Sequence, residues 1–211
     1  MLLNAVEKAL MNNPVRAAIQ HHYEARILQE LGGRVEGGRV LEIGCGRGVG
    51  TEILLTRFGA AHVDAFDLDP DMVERARRRL SRFRDRVRLA PGDATAIEAE
   101  DASYDAVFDF GIIHHIPAWR SAVREVARVL RPGGRFFFEE VTQHALARWA
   151  FRVFLEHPSE DRFSGAEFVA EVERAGLRVP RWTERFFGDF VFGVGFRTDQ
   201  TAGSALASPD A

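Results

Sequence analysis

The chain has 211 residues, a formal net charge of −3 and a hydrophobic content of 46%. This length and balance predict one globular domain with a small cap, and the longest apolar runs are too short to span a bilayer. A single cysteine, Cys45, excludes an internal disulfide and every multi-cysteine zinc site. We expect a cytoplasmic protein.

Helical and strand patterns alternate along most of the chain. Residues 4–31 predict one or two helices, with Ile19, Ile27 and Leu31 facing inward against the sheet. The strands that follow are predicted at "GGRVLEIG", "AHVDAFD", "DRVRLAPGD", "SYDAVFDFG" and "RFFFEEV", with helices between them. This alternation predicts a doubly wound α/β fold whose mostly parallel sheet is covered on both faces. A final hairpin adds two strands, "LRVPRWTERFF" and "FVFGVGFR", joined by a two-residue Gly188-Asp189 turn. It gives the sheet an antiparallel edge strand and brings the expected number of strands to seven.

The glycine-rich turn "LEIGCGRGVG" follows the first predicted strand. A dinucleotide fingerprint, G-x-G-x-x-G, would need a third glycine where the chain has Val49 or Thr51. A P-loop would need a lysine at its end, and the only lysine is Lys8, far upstream. The turn is therefore predicted to let a ligand approach the backbone without binding a pyrophosphate.

Glu42 lies inside the first predicted strand, two residues before the glycine turn. A carboxylate in a buried strand is costly unless it is paired. It therefore suits a ligand that carries hydrogen-bond donors or positive charge. The alternative is that Glu42 caps backbone N–H groups of the turn, and both roles are compatible.

Acidic residues also end three further predicted strands. Asp67 ends the second strand, Gly92-Asp93 the third and Glu139-Glu140 the fifth. Ligands of open α/β sheets bind beyond the carboxyl ends of the strands. A glycine turn followed by two acids at successive strand ends suits a nucleoside, with one carboxylate for a ribose diol and a polar group for an adenine edge.

Five segments in this order, "VLEIGCGRG", "AFDLDPDMV", "GDATAI", "YDAVFDFGIIHHI" and "REVARVLRPGGRFFFEE", resemble the class I S-adenosylmethionine-dependent methyltransferases, in particular small bacterial members of the methyltransferase type 11-like group. The resemblance covers residues 36–197. It leaves residues 1–35 as an N-terminal helical lid, residues 142–165 as a substrate-cap insertion and residues 198–211 as a disordered tail.

The resemblance implies S-adenosyl-L-methionine as the cofactor. Gly44 and Gly46 would let the backbone approach it, and Asp67 would accept both ribose hydroxyls. Asp67 could instead cap the next helix, but Asp69 is better placed for that role because it directly precedes Pro70. Tyr23 joins the set because its hydroxyl could reach a ligand from the lid. The whole expected set is Tyr23, Glu42, Gly44, Cys45, Gly46, Asp67, Leu68, Met72, Gly92, Asp93, Ala94 and Phe110.

Candidate catalytic residues lie after the fourth and fifth strands. His114 and His115 could act as a base because histidine titrates near neutral pH. Glu140 is a further candidate, and His144 and His157 are secondary ones. The alternative is that one histidine packs inward while the other caps a turn. No metal site is expected, because adjacent histidines in an extended turn point apart.

Aromatic residues in the cap and the hairpin predict a small, apolar or aromatic methyl acceptor, although they could equally form core or a homodimer face. They are Phe151, Phe154, Leu155, Phe163, Phe186, Phe187, Phe190 and Phe192. The arginine-rich run 75–88 lies opposite an apolar helix face, so no nucleic-acid partner is expected. The predicted reaction is methyl transfer to an oxygen or nitrogen atom by in-line displacement. A macromolecule-modifying methyltransferase and a non-catalytic cofactor-binding protein are the alternatives.

Overall fold

The structure of the chain is a computed structural model that describes residues 13–146 and 162–198. Predictions for residues 1–12, 147–161 and 199–211 lie outside the described residues, as do Phe151, Phe154, Leu155 and His157. The division into lid, domain and cap stays a prediction.

Eight strands form one sheet within the described residues. They are β1 Arg39–Ile43, β2 His62–Asp67, β3 Val87–Pro91, β4 Tyr104–Phe110, β5 Leu130–Val141, β6 Leu177–Arg178, β7 Trp182–Arg185 and β8 Phe190–Arg197. The order across the sheet is β3-β2-β1-β4-β5-β8-β6, with β7 also paired to β8. Strands β1 to β5 are parallel and β8 runs antiparallel to β5. The predicted fold class is confirmed.

The strand count differs from the expected seven because the segment predicted as one continuous strand is divided. β6 and β7 both pair with β8, and residues 179–181 separate them. Pro180 lies in this gap, where it has no N–H to donate to a sheet ladder.

The helices cover both faces of the sheet. They are α1 Pro14–Ile19, α2 Ala25–Gly32, α3 Val49–Ile53, α4 Pro70–Arg79, α5 Trp119–Val129, α6 Gln143–Leu146 and α7 Gly165–Arg174. Asp69 caps α4, as predicted, because its side chain accepts the N–H of Asp71 at 3.0 Å. One apolar cluster lies between the sheet and α5 and α7, and the other lies between the sheet and α2, α3 and α4.

A π-helical turn, Gln20–Glu24, joins α1 to α2. A π turn adds one residue to the helical repeat and rotates the residues on either side of it relative to each other. Ile19, expected to face inward, is therefore 45% exposed, while Glu24 is buried. The expectation for Ile19 was wrong, whereas Ile27 is buried as predicted.

The β7–β8 hairpin was predicted with a two-residue Gly188-Asp189 turn, and this was wrong. The register pairs Arg185 with Phe190, so the loop contains the four residues 186–189. Phe186, Phe187 and Gly188 all have positive φ, at 54°, 61° and 90°. A four-residue loop can close the hairpin with only one glycine, but it leaves two phenylalanines in left-handed backbone.

Candidate functional site

The glycine turn leaves β1 at the point where the strand order reverses between β1 and β4. The N–H of Cys45 donates to the carbonyl of Phe66 at 2.8 Å, which fixes the turn against β2. Gly46 has φ of 49°, and no heavy atom lies within 4 Å of the position a Cβ would occupy there, in the part of the chain the structure describes. A ligand can therefore reach the backbone at Gly46.

Gly44 serves a different purpose from Gly46. Its φ is 70°, and a Cβ there would lie 2.5 Å from Ile112 Cγ2. The absence of a side chain at Gly44 thus lets the segment after β4 pack directly on the turn. Cys45 is buried beside it, and burial raises the pKa of its thiol, so Cys45 is suited to packing rather than to nucleophilic attack.

Asp67 lies next to the glycine turn. One carboxylate oxygen, Oδ2, accepts the N–H of Gly46 at 2.8 Å, and the other, Oδ1, accepts the N–H of Asp69 at 2.9 Å. A carboxylate oxygen can accept more than one hydrogen bond, so these backbone contacts are compatible with hydroxyl groups as further donors. The two backbone contacts hold the carboxylate at the rim of the turn.

Glu42 lies beneath the turn and is almost fully buried. Its Oε2 accepts the hydroxyl of Thr51, while a Cβ at Gly50 would lie 2.0 Å from Oε1. Burial raises the pKa of Glu42 to about 8, helped by the charge of Asp67. Its hydrogen-bond partner is thus at the start of α3, not among the glycines of the turn that sequence reasoning considered.

The remaining expected cofactor residues lie around the same edge of the sheet. Leu68 is half exposed and Met72 is buried below it. The N–H of Gly92 donates to the carbonyl of Asp67 at 3.0 Å, so the end of β3 adjoins the end of β2. Asp93 is exposed, and its Oδ1 accepts the N–H and the hydroxyl of Thr95, both at 2.8 Å.

The three other members of the expected set are Ala94 and Phe110, which are buried, and Tyr23, which is partly exposed. Ala94 is buried after Asp93, and Phe110 is buried at the end of β4, where its ring stacks on Phe108 at 5.9 Å. Tyr23 lies on the π turn with 38% of its surface exposed, and its ring contacts Phe186. The structure does not bring Tyr23 into contact with the glycine turn.

Glu140 organises the segment that follows β4. It is fully buried and accepts the backbone N–H groups of Ile113 at 2.5 Å, His114 at 3.2 Å and Val141 at 3.1 Å. Its Oε2 also lies 2.6 Å from Nδ1 of His114. Burial raises the pKa of Glu140 to about 7, and burial also raises that of the neighbouring Asp109.

The pairing fixes the His114 ring. The contact between Nδ1 and the Glu140 carboxyl group sets the orientation of the ring. The ring of His115 lies against that of His114, with 4.1 Å between centroids. The structure therefore brings the three predicted catalytic residues together, with Glu140 buried behind His114.

A buried ion-pair cluster that the sequence analysis missed lies between the N-terminal helix and β5. Arg16 Nη1 contacts both oxygens of Glu24, at 2.6 and 2.5 Å, and Nη2 lies 3.5 Å from Oε1 of Glu139. Burial raises the pKa of Glu139 well above its usual range. Arg47 extends the attachment, since its Nη2 donates to the carbonyl of Asn13 at 3.1 Å. Residues 13–24 are thus attached to both the glycine turn and the end of β5.

The sequence of this chain is similar to those of known methyltransferases. A family described as a methyltransferase domain matches residues 40–134. The fatty-acid O-methyltransferase of Mycolicibacterium smegmatis is 39% identical over 106 residues, which cover 50% of this chain and 38% of that protein. A probable phthiotriol/phenolphthiotriol dimycocerosates methyltransferase of Mycobacterium ulcerans is 30% identical over 176 residues, 82% of this chain and 65% of that one.

Residues 40–134 of this chain form a domain of the class I S-adenosylmethionine-dependent methyltransferase family.

The fold agrees with that family. The methyltransferase domain of a Haloferax volcanii complex with the Trm112 methyltransferase activator superposes with a TM-score of 0.76 at 19% identity, covering 94% of this chain and 100% of that one. The chain spans between 38% and 65% of the length of the first three curated relatives it matches.

The edge of the sheet around the glycine turn is rich in acids. Five buried or half-buried acids lie there, beside the guanidinium groups of Arg16 and Arg47. These acids are Glu42, Asp67, Asp109, Glu139 and Glu140. Burial raises the pKa of Glu42, Asp109, Glu139 and Glu140, so a sulfonium or ammonium group placed at this edge would favour their ionised forms. The open backbone at Gly46 and the two carboxylate oxygens of Asp67 fit the cofactor that the family uses.

The described residues contain neither a metal-binding cluster nor a helix that could span a membrane. Among residues 13–146 and 162–198, no group of three His, Cys, Asp or Glu side chains is arranged to hold a metal ion. The helices of the same residues are all too short or too polar to cross a membrane.

Proposed function

We propose that this chain transfers the methyl group of S-adenosyl-L-methionine to an oxygen atom of a small, apolar, lipid-like molecule. The contact between Asp67 and the glycine turn supports the cofactor part of this proposal. It places a carboxylate that can accept the hydroxyls of a diol next to the backbone of Gly46, which a ligand can approach. Relatives named for fatty-acid and malonyl-acyl-carrier-protein O-methylation favour oxygen over nitrogen as the attacked atom. The cytoplasmic location and the homodimer stay predictions.

The residues of the chain supply binding, orientation and a proton acceptor. When bound, the cofactor supplies a methyl group on a sulfonium leaving group. Asp67 holds the ribose hydroxyls, Glu42 lies below the cationic end, and Gly46 allows close approach. Alignment of nucleophile and methyl carbon by such contacts contributes on the order of 7–11 kcal/mol to lowering the barrier.

His114 is the proposed base. The contact between its Nδ1 and Glu140 holds the ring in the segment that follows β4, where His114 would accept the proton of an acceptor hydroxyl. The N-terminal helix, attached through Arg16, lies over the same edge of the sheet and helps to exclude water. Two of the buried carboxyl groups thus have different proposed roles. Glu42 would stabilise the cofactor, and Glu140 would orient the base.

The first test of this function is the affinity for the cofactor. Asp67→Ala is expected to weaken binding of S-adenosylmethionine and of its demethylated product about 100-fold, because hydrogen bonds to a charged group contribute roughly 1.5–3 kcal/mol each. Calorimetric titration measures both constants. Asp69→Ala is the matched control: it removes the α4 cap and about 1 kcal/mol of stability, but leaves the affinity unchanged.

The outcome of this test separates the alternatives. Micromolar binding by the wild type, followed by methyl-ester or methyl-ether products from long-chain acids or alcohols, supports the proposal. Binding without any product would favour a non-catalytic protein. An unchanged affinity in Asp67→Ala would remove this residue from the site.

Cofactor binding at pH 7 is expected to release about one proton from Glu42. Its pKa of about 8 means that the free protein holds this carboxyl mostly protonated. A cationic group placed above it favours the ionised form. Titrations in two buffers of different ionisation enthalpy measure the released proton. The Glu42→Gln variant is expected to release none, and an identical release by both proteins would contradict the assignment.

A further inference from the structure

Exposed apolar side chains form a continuous ridge beside the proposed site. Val15, Ile19 and Tyr23 follow one another at intervals of four along the N-terminal helix, with 67%, 45% and 38% of their surfaces exposed. The Tyr23 ring lies 5.8 Å from that of Phe186, which is 56% exposed, and Phe187 beside it is 91% exposed. We call these five residues the apolar ridge.

The hairpin tip of the ridge is held in an unfavourable conformation. Phe186 and Phe187 both have left-handed backbone, which L-residues with bulky side chains avoid. The loop is tied to the end of β5, where the Thr142 hydroxyl donates to the carbonyl of Gly188 and the Thr142 N–H to that of Asp189. A fixed loop that exposes two phenylalanines combines backbone strain with exposed apolar surface, and such a combination indicates function.

Charges of both signs flank the tip: the exposed Glu184 lies on β7 between two arginines, and its carboxylate lies beside Gly165 and Gly188. Arg185 directly precedes Phe186, and Arg181 lies at the other end of β7; both are exposed. Their guanidinium groups contact backbone carbonyls of Glu184 and Leu31, and neither forms an ion pair among the described residues. An apolar surface bordered by arginines matches the interface of an anionic bilayer, where aromatic rings enter the headgroup region and cations meet phosphate groups.

We propose that the apolar ridge binds the surface of an anionic lipid bilayer, with Phe186 and Phe187 inserted at the headgroup boundary. The carboxyl edge of the sheet would then face the membrane, because the tip is attached to the end of β5. This surface goes beyond the proposed function. It can be tested without cofactor or methyl acceptor, so each proposal can fail independently of the other.

Co-sedimentation of the full chain with vesicles tests the ridge. Wild type is expected to bind vesicles of phosphatidylcholine with 30% phosphatidylglycerol (a composition of about one anionic lipid in three) and to bind pure phosphatidylcholine several-fold less. Phe187→Gly is expected to lower the partition coefficient about tenfold, and the double variant Phe186→Ser/Phe187→Gly about 100-fold, because each ring leaves the apolar phase. Glycine at 187 also accepts the left-handed backbone, so this variant keeps the fold.

Two further variants separate the apolar and the charged contributions. Arg185→Gln is expected to weaken binding about fivefold on anionic vesicles and not at all on neutral ones. Trp182→Ser is the matched control, since Trp182 is an exposed aromatic on the same hairpin but lies opposite Gly193, away from the tip. It is expected to leave binding unchanged.

The proposal would be overturned if the wild type did not bind vesicles, or if Trp182→Ser lost as much vesicle binding as Phe187→Gly. It would also be overturned if the wild type formed a dimer in sedimentation equilibrium, and Phe187→Gly converted this dimer to monomer without any effect of lipid. The last result would assign the ridge to a second copy of the chain.

Discussion

His114→Gln is expected to lower kcat about 1,000-fold while the affinity for the cofactor stays within about twofold of the wild type. General acid–base catalysis typically contributes 10²–10⁴-fold, and glutamine keeps the size and a hydrogen-bond partner for Glu140 but accepts no proton. Product formation under single-turnover conditions, followed by mass spectrometry, measures the rate of the chemical step. The loss is expected for hydroxyl acceptors and not for carboxylic acids, which are already ionised at neutral pH and need no base.

The reason for this expectation is the position of Glu140. Its buried carboxyl lies 2.6 Å from Nδ1 of His114 and also accepts three backbone N–H groups of the surrounding segments. The contact orients the ring. Glu140 acts through His114 and is a positioning residue.

Glu140→Gln distinguishes positioning from support of the fold. Glutamine keeps the size of the side chain but removes the carboxylate that orients the His114 ring, so kcat is expected to fall while KM for the methyl acceptor stays near the wild-type value. A merely structural role would reduce the amount of folded protein without changing kcat per folded molecule. If His114→Gln turns over as fast as the wild type, proximity alone accounts for catalysis, and the base assignment fails.

Much of the cofactor half of the site could be predicted from the sequence because it is local. The contact between Gly46 and Asp67 follows from two adjacent strand ends, and the cap at Asp69 follows from the proline behind it. Parallel strands place their carboxyl ends at one edge of the sheet, so a strand pattern is enough to bring such residues together.

The contacts of the N-terminal helix could not be predicted. They depend on which face of the helix is buried and on residues that are far apart in the sequence. Arg16 and Glu139 are 123 positions apart, and nothing in either neighbourhood marks them as partners. The π turn at Gln20–Glu24 shifts the helix by one residue, which exposes Ile19 and buries Glu24. Acids within apolar strands, such as Glu42 in "RVLEI" and Asp109 in "AVFDF", were the available signal of buried acids at this edge.

Arg16→Met is expected to lower the free energy of unfolding by about 3 kcal/mol at pH 8, because removing one partner of a buried ion pair leaves the other charge without compensation. The side chains of Glu24 and Glu139 are only 6% and 2% exposed, so water cannot replace the guanidinium. Urea denaturation of the wild type and the variant measures the difference. Arg26→Met is the matched control: it removes an exposed pair with Glu30 on the same helical segment and is expected to change stability little.

The effect of Arg16→Met is expected to depend on pH with a definite sign. Burial raises the pKa of Glu139 in the folded protein, so the folded state binds more protons than the unfolded state between the usual pKa of a glutamate and this raised value. Stability contributed by that proton is therefore present at low pH and is lost as pH rises. Without Arg16, the pKa of Glu139 in the folded protein is raised further. The deficit in the variant's free energy of unfolding should therefore shrink as the pH is lowered from 8 to 5. The double variant Arg16→Met/Glu139→Gln should be more stable than Arg16→Met at pH 8 and should lose most of this pH dependence. An equal deficit at both pH values would show that Arg16 acts through packing and not through its charge.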